Sequence, residues 1–406
     1  MVEFPHDFLF GAATSAYQVE GNNVNCDWWE WERRTGKEVS GSACRHYELY
    51  RQDFDLAKSL NHTCHRLSLE WSRIEPQEGK FSSDEIEHYR QVISALRERG
   101  IEPLVTLHHF TNPLWFSQRG GWRNPSLIHY FLRYVRRMSE ELASSVKYWI
   151  TINEPNVYAY HAYLIGAWPP QGKSYTVTKI VTDNLLIAHR QAYQLIHELY
   201  AQKNLAPVLV SIAHNVQSFV PCFPTLKNKV FSLLRSFLYN FGIIEDLCGH
   251  KSLDFIGVNY YTRSLVDIEG WSRRALLLTP CGHNHSTLSR NTMGWDIYPE
   301  GLFDLLLRLK RYRLPVFILE NGTCVDDDAV RWQFIRSHLE SLHRAMEAGV
   351  TVSGYVYWSL LDNFEWDKGF APRFGLIEVD YRTYQRTVRE SAKKFAEVSR
   401  TKRLMC

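Results

Sequence analysis

Eight short apolar runs recur along the chain, at residues 8–14, 64–71, 103–109, 148–154, 208–216, 255–261, 315–321 and 352–360. Most are continuous rather than alternating, the pattern of strands covered on both faces. Stretches of helical period lie between them. Within 84–99, Ile86, Tyr89, Val92, Ile93 and Leu96 share one stripe, and Gly100 stops it. Residues 126–142, 182–200, 301–312 and 330–348 behave alike. Strand and helix alternating eight times predict an α/β fold, a (β/α)8 TIM barrel. No Ser/Gly-rich linker or low-complexity tract divides the chain, so residues 1–406 read as a single domain. A doubly wound sheet would want a Gly-rich phosphate turn after an early strand, and Gly11-Ala12-Ala13 opens no such fingerprint.

In a barrel the C-terminal strand ends meet at one mouth. Polar residues gather at those ends here: His108 and His109, Asn153 and Glu154, Asn259 and Tyr261, Glu320 and Asn321. Glu154 follows the apolar run 148–152, and Glu320 follows 315–319. A carboxylate in such a place is costly to bury without partners. Two of them in like contexts suggest a paired acid and nucleophile, which is what glycoside hydrolysis requires.

The chain has 47 basic and 44 acidic residues, a net charge of +3. That balance argues against a nucleic-acid binder, which would show a concentrated basic patch. Thirteen Trp and 22 Tyr are read mostly as core, though near a cleft their faces also stack on sugars. The cysteines at 26, 44, 64, 222, 248, 281, 324 and 406 form no Cys-x-x-Cys and no zinc-like spacing with His. They are expected to be eight reduced thiols. Neither a signal peptide nor a bilayer-spanning run is visible, so a cytoplasmic protein without membrane or nucleic-acid partners is expected. No metal or cofactor is suggested, and the oligomeric state is open, a homo-oligomer included.

Five motifs carry a resemblance. They are the run from Phe10 to Gly21 (Phe-Gly-Ala-Ala-Thr-Ser-Ala-Tyr-Gln-Val-Glu-Gly), Thr151-Ile152-Asn153-Glu154-Pro155-Asn156, Gly257-Val258-Asn259-Tyr260-Tyr261, Glu320-Asn321-Gly322, and Trp358-Ser359-Leu360-Leu361-Asp362-Asn363-Phe364-Glu365-Trp366. In this order they are highly specific, and the chain resembles a family 1 glycoside hydrolase, the β-glucosidase and β-galactosidase type, from residue 8 to about residue 380. The resemblance implies that Glu154 is the general acid/base and Glu320 the nucleophile of a retaining double displacement. Arg66 and Tyr261 would contact Glu320, with the Arg66 charge keeping it ionised, and Asn153 would bond the sugar 2-hydroxyl. Gln18, His109, Glu365 and Trp366 resemble the family's clamp on the nonreducing sugar, Asn259 belongs with the substrate-binding set, Trp358 would be the floor, and Phe374 a rim aromatic. His108, adjacent to His109 and so on the opposite strand face, reads as structural.

Some positions depart from the family pattern. Leu319 stands where Thr is usual before the nucleophile, and residues 217–249 and 323–330 look short. These loops would shape the mouth, so an open aglycone side is expected. A carboxylate at 365 would repel a 6-phosphate, favouring an unphosphorylated glycone. The leading expectation is a retaining exo-β-glycosidase acting on β-glucosides, with β-galactosides or β-fucosides open. The alternatives are transglycosylation at the same site and a non-catalytic sugar-binding barrel.

Overall fold

Eight parallel strands close a barrel: β1 (Leu9–Ala13), β2 (Cys64–Ser68), β3 (Glu102–His108), β4 (Tyr148–Asn153), β5 (Leu209–Pro221), β6 (Ile256–Val266), β7 (Val316–Asn321) and β8 (Val352–Trp358). Each pairs with the next, and β8 returns to β1, with Leu9 opposite Gly354 and Ala13 opposite Trp358. The computed structural model describes residues 2–267 and 287–405. Every strand expected from the apolar runs forms. β5 and β6 run past the mouth and pair from Ser218 with Arg263 to Pro221 with Val266, building a wall the runs did not announce.

The outer layer holds α1 (His46–Ser59), α2 (Ser83–Glu98), α3 (Ile128–Leu142), α4 (Tyr175–Gln202), α5 (Leu226–Ser236), α6 (Gly242–Gly249), α7 (Pro299–Leu309), α8 (Asp328–Glu347) and α9 (Glu390–Thr401). Ser82, Ser174, Thr225 and Asp327 each offer a side-chain oxygen to a free first-turn amide of α2, α4, α5 and α8. The Ser174 cap starts α4 at Tyr175, earlier than its apolar period suggests. The period did not expose α1, because its inward face carries His46 and Asp53 as well as Tyr50 and Phe54. Asp53 is satisfied there by His46 at 2.8 Å and by Arg386, also at 2.8 Å.

The barrel interior is filled by Ala13, Cys64, Leu104, Ile150, Ala213, Phe255, Phe317, Leu319 and Val356. Leu319 fits because its neighbour is Gly257: a Cβ there would lie 2.5 Å from Leu319 Cδ1 and 2.2 Å from the Ile212 carbonyl oxygen. This packed floor sits directly beneath the mouth, so the site rests on rigid elements.

One expectation fails. Cys222, next after β5, is disulfide-bonded, whereas Cys26, Cys44, Cys64, Cys248 and Cys324 are free; Cys281 and Cys406 lie outside the described residues. Spacing rules detect local redox and metal motifs and are silent about a bond formed only through the fold.

Candidate active site

Glu320, at the end of β7, is 4 % exposed. Arg66 of β2 donates from Nη1 to its Oε1, and the Tyr261 hydroxyl of β6 donates to its Oε2 at 2.5 Å. The Arg66 fork also reaches Thr106 Oγ1 at 3.1 Å and Asn153 Oδ1 at 2.6 Å. An arginine inside an apolar strand is thereby satisfied by β3, β4 and β7 at once.

Glu154 follows β4. Its Oε1 accepts from Asn259 Nδ2 and from Asn215 Nδ2, both at 2.9 Å. Tyr239 in turn donates to Asn215 Oδ1 at 2.8 Å. Glu154 has φ 44 and ψ 61, a left-handed conformation costly for a residue with a Cβ. Its amide donates to the Ala213 carbonyl at 2.7 Å, and Pro155 opens a short helix behind it. Pairing registers shift at Asn153 between β4 and β5, at Asn259 between β6 and β7, and before Asn321 between β7 and β8. Such irregularities re-aim side chains that strict alternation would send to opposite faces.

Burial drives the electrostatics. It pushes the Glu154 carboxyl up to about 8, with help from the Glu320 charge, while the Asn215 and Asn259 amides pull it back. Glu320 is raised too, first by burial, with Arg66 and Tyr261 opposing. The Arg66 charge pulls against burial, and burial is the larger influence. Glu365 rises to about 8 through burial, then the charges of Glu320, Asp367 and Glu154. Of the two glutamates, Glu320 is the one with a bonded cation, so the arrangement can keep a charge on Glu320 and a proton on Glu154.

A hollow of about 480 Å³ opens over these groups. Apart from Arg66 and Asn259, every residue expected at the site lines it. Those two stand behind, as supports for Glu320, Asn153 and Glu154. Gln18 Nε2 donates to Asn363 Oδ1 at 3.0 Å, to the Phe364 carbonyl at 2.9 Å and to Glu365 Oε2 at 3.3 Å. Its Oε1 is buried without a partner among the described residues. Asn153 Nδ2 contacts His109 Nε2 at 3.2 Å. Arg66 can only donate, which fixes Oδ1 as the Asn153 atom facing it, so His109 Nε2 accepts and the ring proton sits on Nδ1. Burial, and next the Arg66 charge, keep that ring neutral. Trp358 stacks near His109 with centroids 6.0 Å apart, Trp366 stacks on Tyr17 at 5.9 Å, and Phe374 meets Tyr261 edge-on at 6.3 Å.

His108 turns the other way, to Asn112 Oδ1 at 3.1 Å and into the rings of Trp122, Phe131 and Tyr158. Sequence reasoning missed Asn215, Tyr239, Trp168 and Trp295 around the hollow. Asn215 carried a signal, a polar residue at the end of the run 208–216. The other three come from segments outside the barrel strands and carried none.

A closed parallel barrel that gathers buried carboxylates, amides and aromatic faces at the C-terminal ends of its strands has the construction of a barrel glycosidase. The chain belongs to glycosyl hydrolase family 1, whose profile matches residues 1–248 and 243–404, and is an O-glycoside hydrolase of that family. It is 30 % identical over 440 residues to beta-glucosidase A of Thermotoga maritima, covering 98 % of this chain and 97 % of the relative. It is also 30 % identical over 484 residues to a beta-galactosidase of Sulfolobus acidocaldarius, with 99 % and 96 % covered. Among solved structures, the beta-glycosidase from Pyrococcus horikoshii superposes with a TM-score of 0.93 at 39 % identity, covering 100 % of this chain and 96 % of that one.

Proposed function

We infer that the protein is a retaining exo-β-glycosidase that hydrolyses β-glucosides, with β-galactosides and β-fucosides as further candidate glycones. One observation carries this reading: Glu154, bonded by neutral amides and raised to about 8, shares a hollow with Glu320, which is bonded by Arg66 and Tyr261. Asn259 bonds Glu154 and stands opposite Glu320 in the β6–β7 pairing, which brings the two carboxyls to neighbouring positions. That closeness favours the retaining spacing of about 5 Å over the wider inverting one.

Glu154 gives its proton to the departing glycosidic oxygen while a Glu320 oxygen bonds the anomeric carbon and the aglycone leaves. Bonding cancels the Glu320 charge, so the Glu154 pKa falls and the carboxylate takes a proton from water. The resulting oxygen attacks the same carbon, the bond to Glu320 breaks, and the sugar leaves with its original configuration. Asn153 spends one amide hydrogen on His109 and keeps a second for the 2-hydroxyl. Gln18 and Glu365 engage adjacent hydroxyls over the Trp358 face. The unpartnered Gln18 Oε1 supports that clamp. Five free thiols favour a cytoplasmic setting, and the Cys222 bond counts against it.

A panel of nitrophenyl β-glycosides, with NMR of the first anomer released, tests the reading. Turnover of the glucoside with β-glucose appearing first is the expected result. An inert panel, or α-glucose first, overturns it.

A further inference from the structure

Helix α5 wears its faces the wrong way out. Asn228, Ser232, Arg235 and Ser236 point inward and are buried. Leu226, Val230, Leu233, Leu234, Phe237 and Leu238 are exposed, Leu226 by 78 % and Leu233 by 64 %. Their spacing puts all six on one stripe, the stripe a surface helix ordinarily turns to its own core. Isolated exposed apolar residues need no explanation, but a contiguous row of this size marks a contact surface.

Charge narrows the choice of partner. Residues 211–244 include no Asp or Glu, and Arg235, the arginine of α5, is turned to the buried side. Lys229 is exposed beside the stripe. Arg308 adds a cation at the helix's end, where it donates to Ser236 Oγ at 2.9 Å. Among the described residues, Asp267 touches the helix from within, accepting from the buried Asn228 at 3.1 Å. An apolar stripe edged by cations suits an anionic lipid surface. A second copy related by a twofold axis would set the same cations against each other.

We propose that this stripe docks the protein on an anionic phospholipid bilayer, with α5 lying in the plane of the interface. The attachment is peripheral: no described helix is long and apolar enough to cross a membrane. The expectation of no membrane partner tested for a spanning run, a test that an in-plane helix with a polar inward face escapes. Tyr239, next in the chain after Leu238, lines the hollow, so the docked face adjoins the mouth.

Vesicle flotation of the full chain decides the matter. It should float with vesicles of phosphatidylcholine and phosphatidylglycerol in equal parts, and less with phosphatidylcholine alone. The combined Leu226→Gln, Val230→Gln, Leu233→Gln variant should lose about tenfold or more of its partitioning. Lys229→Glu should weaken flotation on the anionic vesicles only. Circular dichroism matching the parent's shows that both variants are folded, independently of any glycosidase assay. Failure of the parent to float, or equal flotation of the triple variant, overturns the proposal. So does light scattering that shows a parent dimer, converted to monomer by the triple variant, without vesicle binding.

Discussion

Arg66 and Glu320 come from β2 and β7 yet are bonded to each other, and the same guanidinium holds Asn153 at 2.6 Å. Lysine cannot span that fork. Arg66→Lys should therefore lower kcat by about 100-fold, as the loss of a preorganised hydrogen-bond donor does. The sign on pH is also fixed. Glu320 is already raised by burial, and weakening the pull of Arg66 raises it further. Since the proposed nucleophile acts in its ionised form, the acid limb of the kcat/KM profile should move to higher pH. A pH–rate profile with an unmoved acid limb would refute the role given to Arg66.

Glu320→Ala removes the proposed nucleophile but leaves Arg66 with Thr106 and Asn153 as partners, so the fold should survive. Turnover should drop by about 10,000-fold or more. Azide or formate should restore part of it by attacking from the vacated side, giving an inverted product. NMR of the rescued product provides the check, and a fully active variant would remove Glu320 from the chemistry.

How much of this was written in the sequence depends on the kind of signal. Glu154 and Glu320 were legible because a charge at the end of an apolar strand contradicts its surroundings unless the site uses it. Leu319 was visible as a departure, but its accommodation by Gly257 was not, since that contact joins two strands. Asn259 was placed with the substrate and stands instead behind Glu154, because letters give strand position but not depth in a barrel. Tyr239 and Trp295 reach the hollow from segments with no period to read. Helix α5 shows the limit most clearly. Its apolar spacing would suggest burial, and only coordinates reveal that the polar face is the one inside.

Glu365 gives a substrate prediction. Its half-buried carboxyl faces the hollow and is raised to about 8 by desolvation and by Glu320, Asp367 and Glu154. A 6-phosphate brought there would be desolvated beside the Glu320, Asp367 and Glu154 carboxyls, and beside Glu365 itself once that group ionises. Nitrophenyl β-glucoside 6-phosphate should be cleaved about 1,000-fold more slowly than the plain glucoside. The ratio should widen as pH rises past about 8, where Glu365 ionises. Equal kcat/KM values for the two substrates at every pH would overturn the assignment of Glu365 to the glycone clamp.

Glu154→Gln separates chemistry from stability in one variant. Without the proposed proton donor, substrates with poor leaving groups should lose far more rate than nitrophenyl glycosides, and the alkaline limb near pH 8 should vanish. The parent carboxyl goes from 4.5 when unfolded to about 8 when folded, so the native state holds a proton that the unfolded chain releases. The favourable contribution of that retained proton is therefore complete below pH 4.5, where both states are protonated, and is eroded as pH climbs to about 8. At 1.36 kcal/mol per unit, the parent loses up to about 5 kcal/mol over that window. Glutamine does not titrate. Relative to its difference at pH 4, the variant should gain several degrees in Tm by pH 8.5. Thermal unfolding of both proteins at the two pH values makes the comparison. A Tm difference that stays constant, or narrows, would mean that the Glu154 carboxyl is not held protonated by its burial.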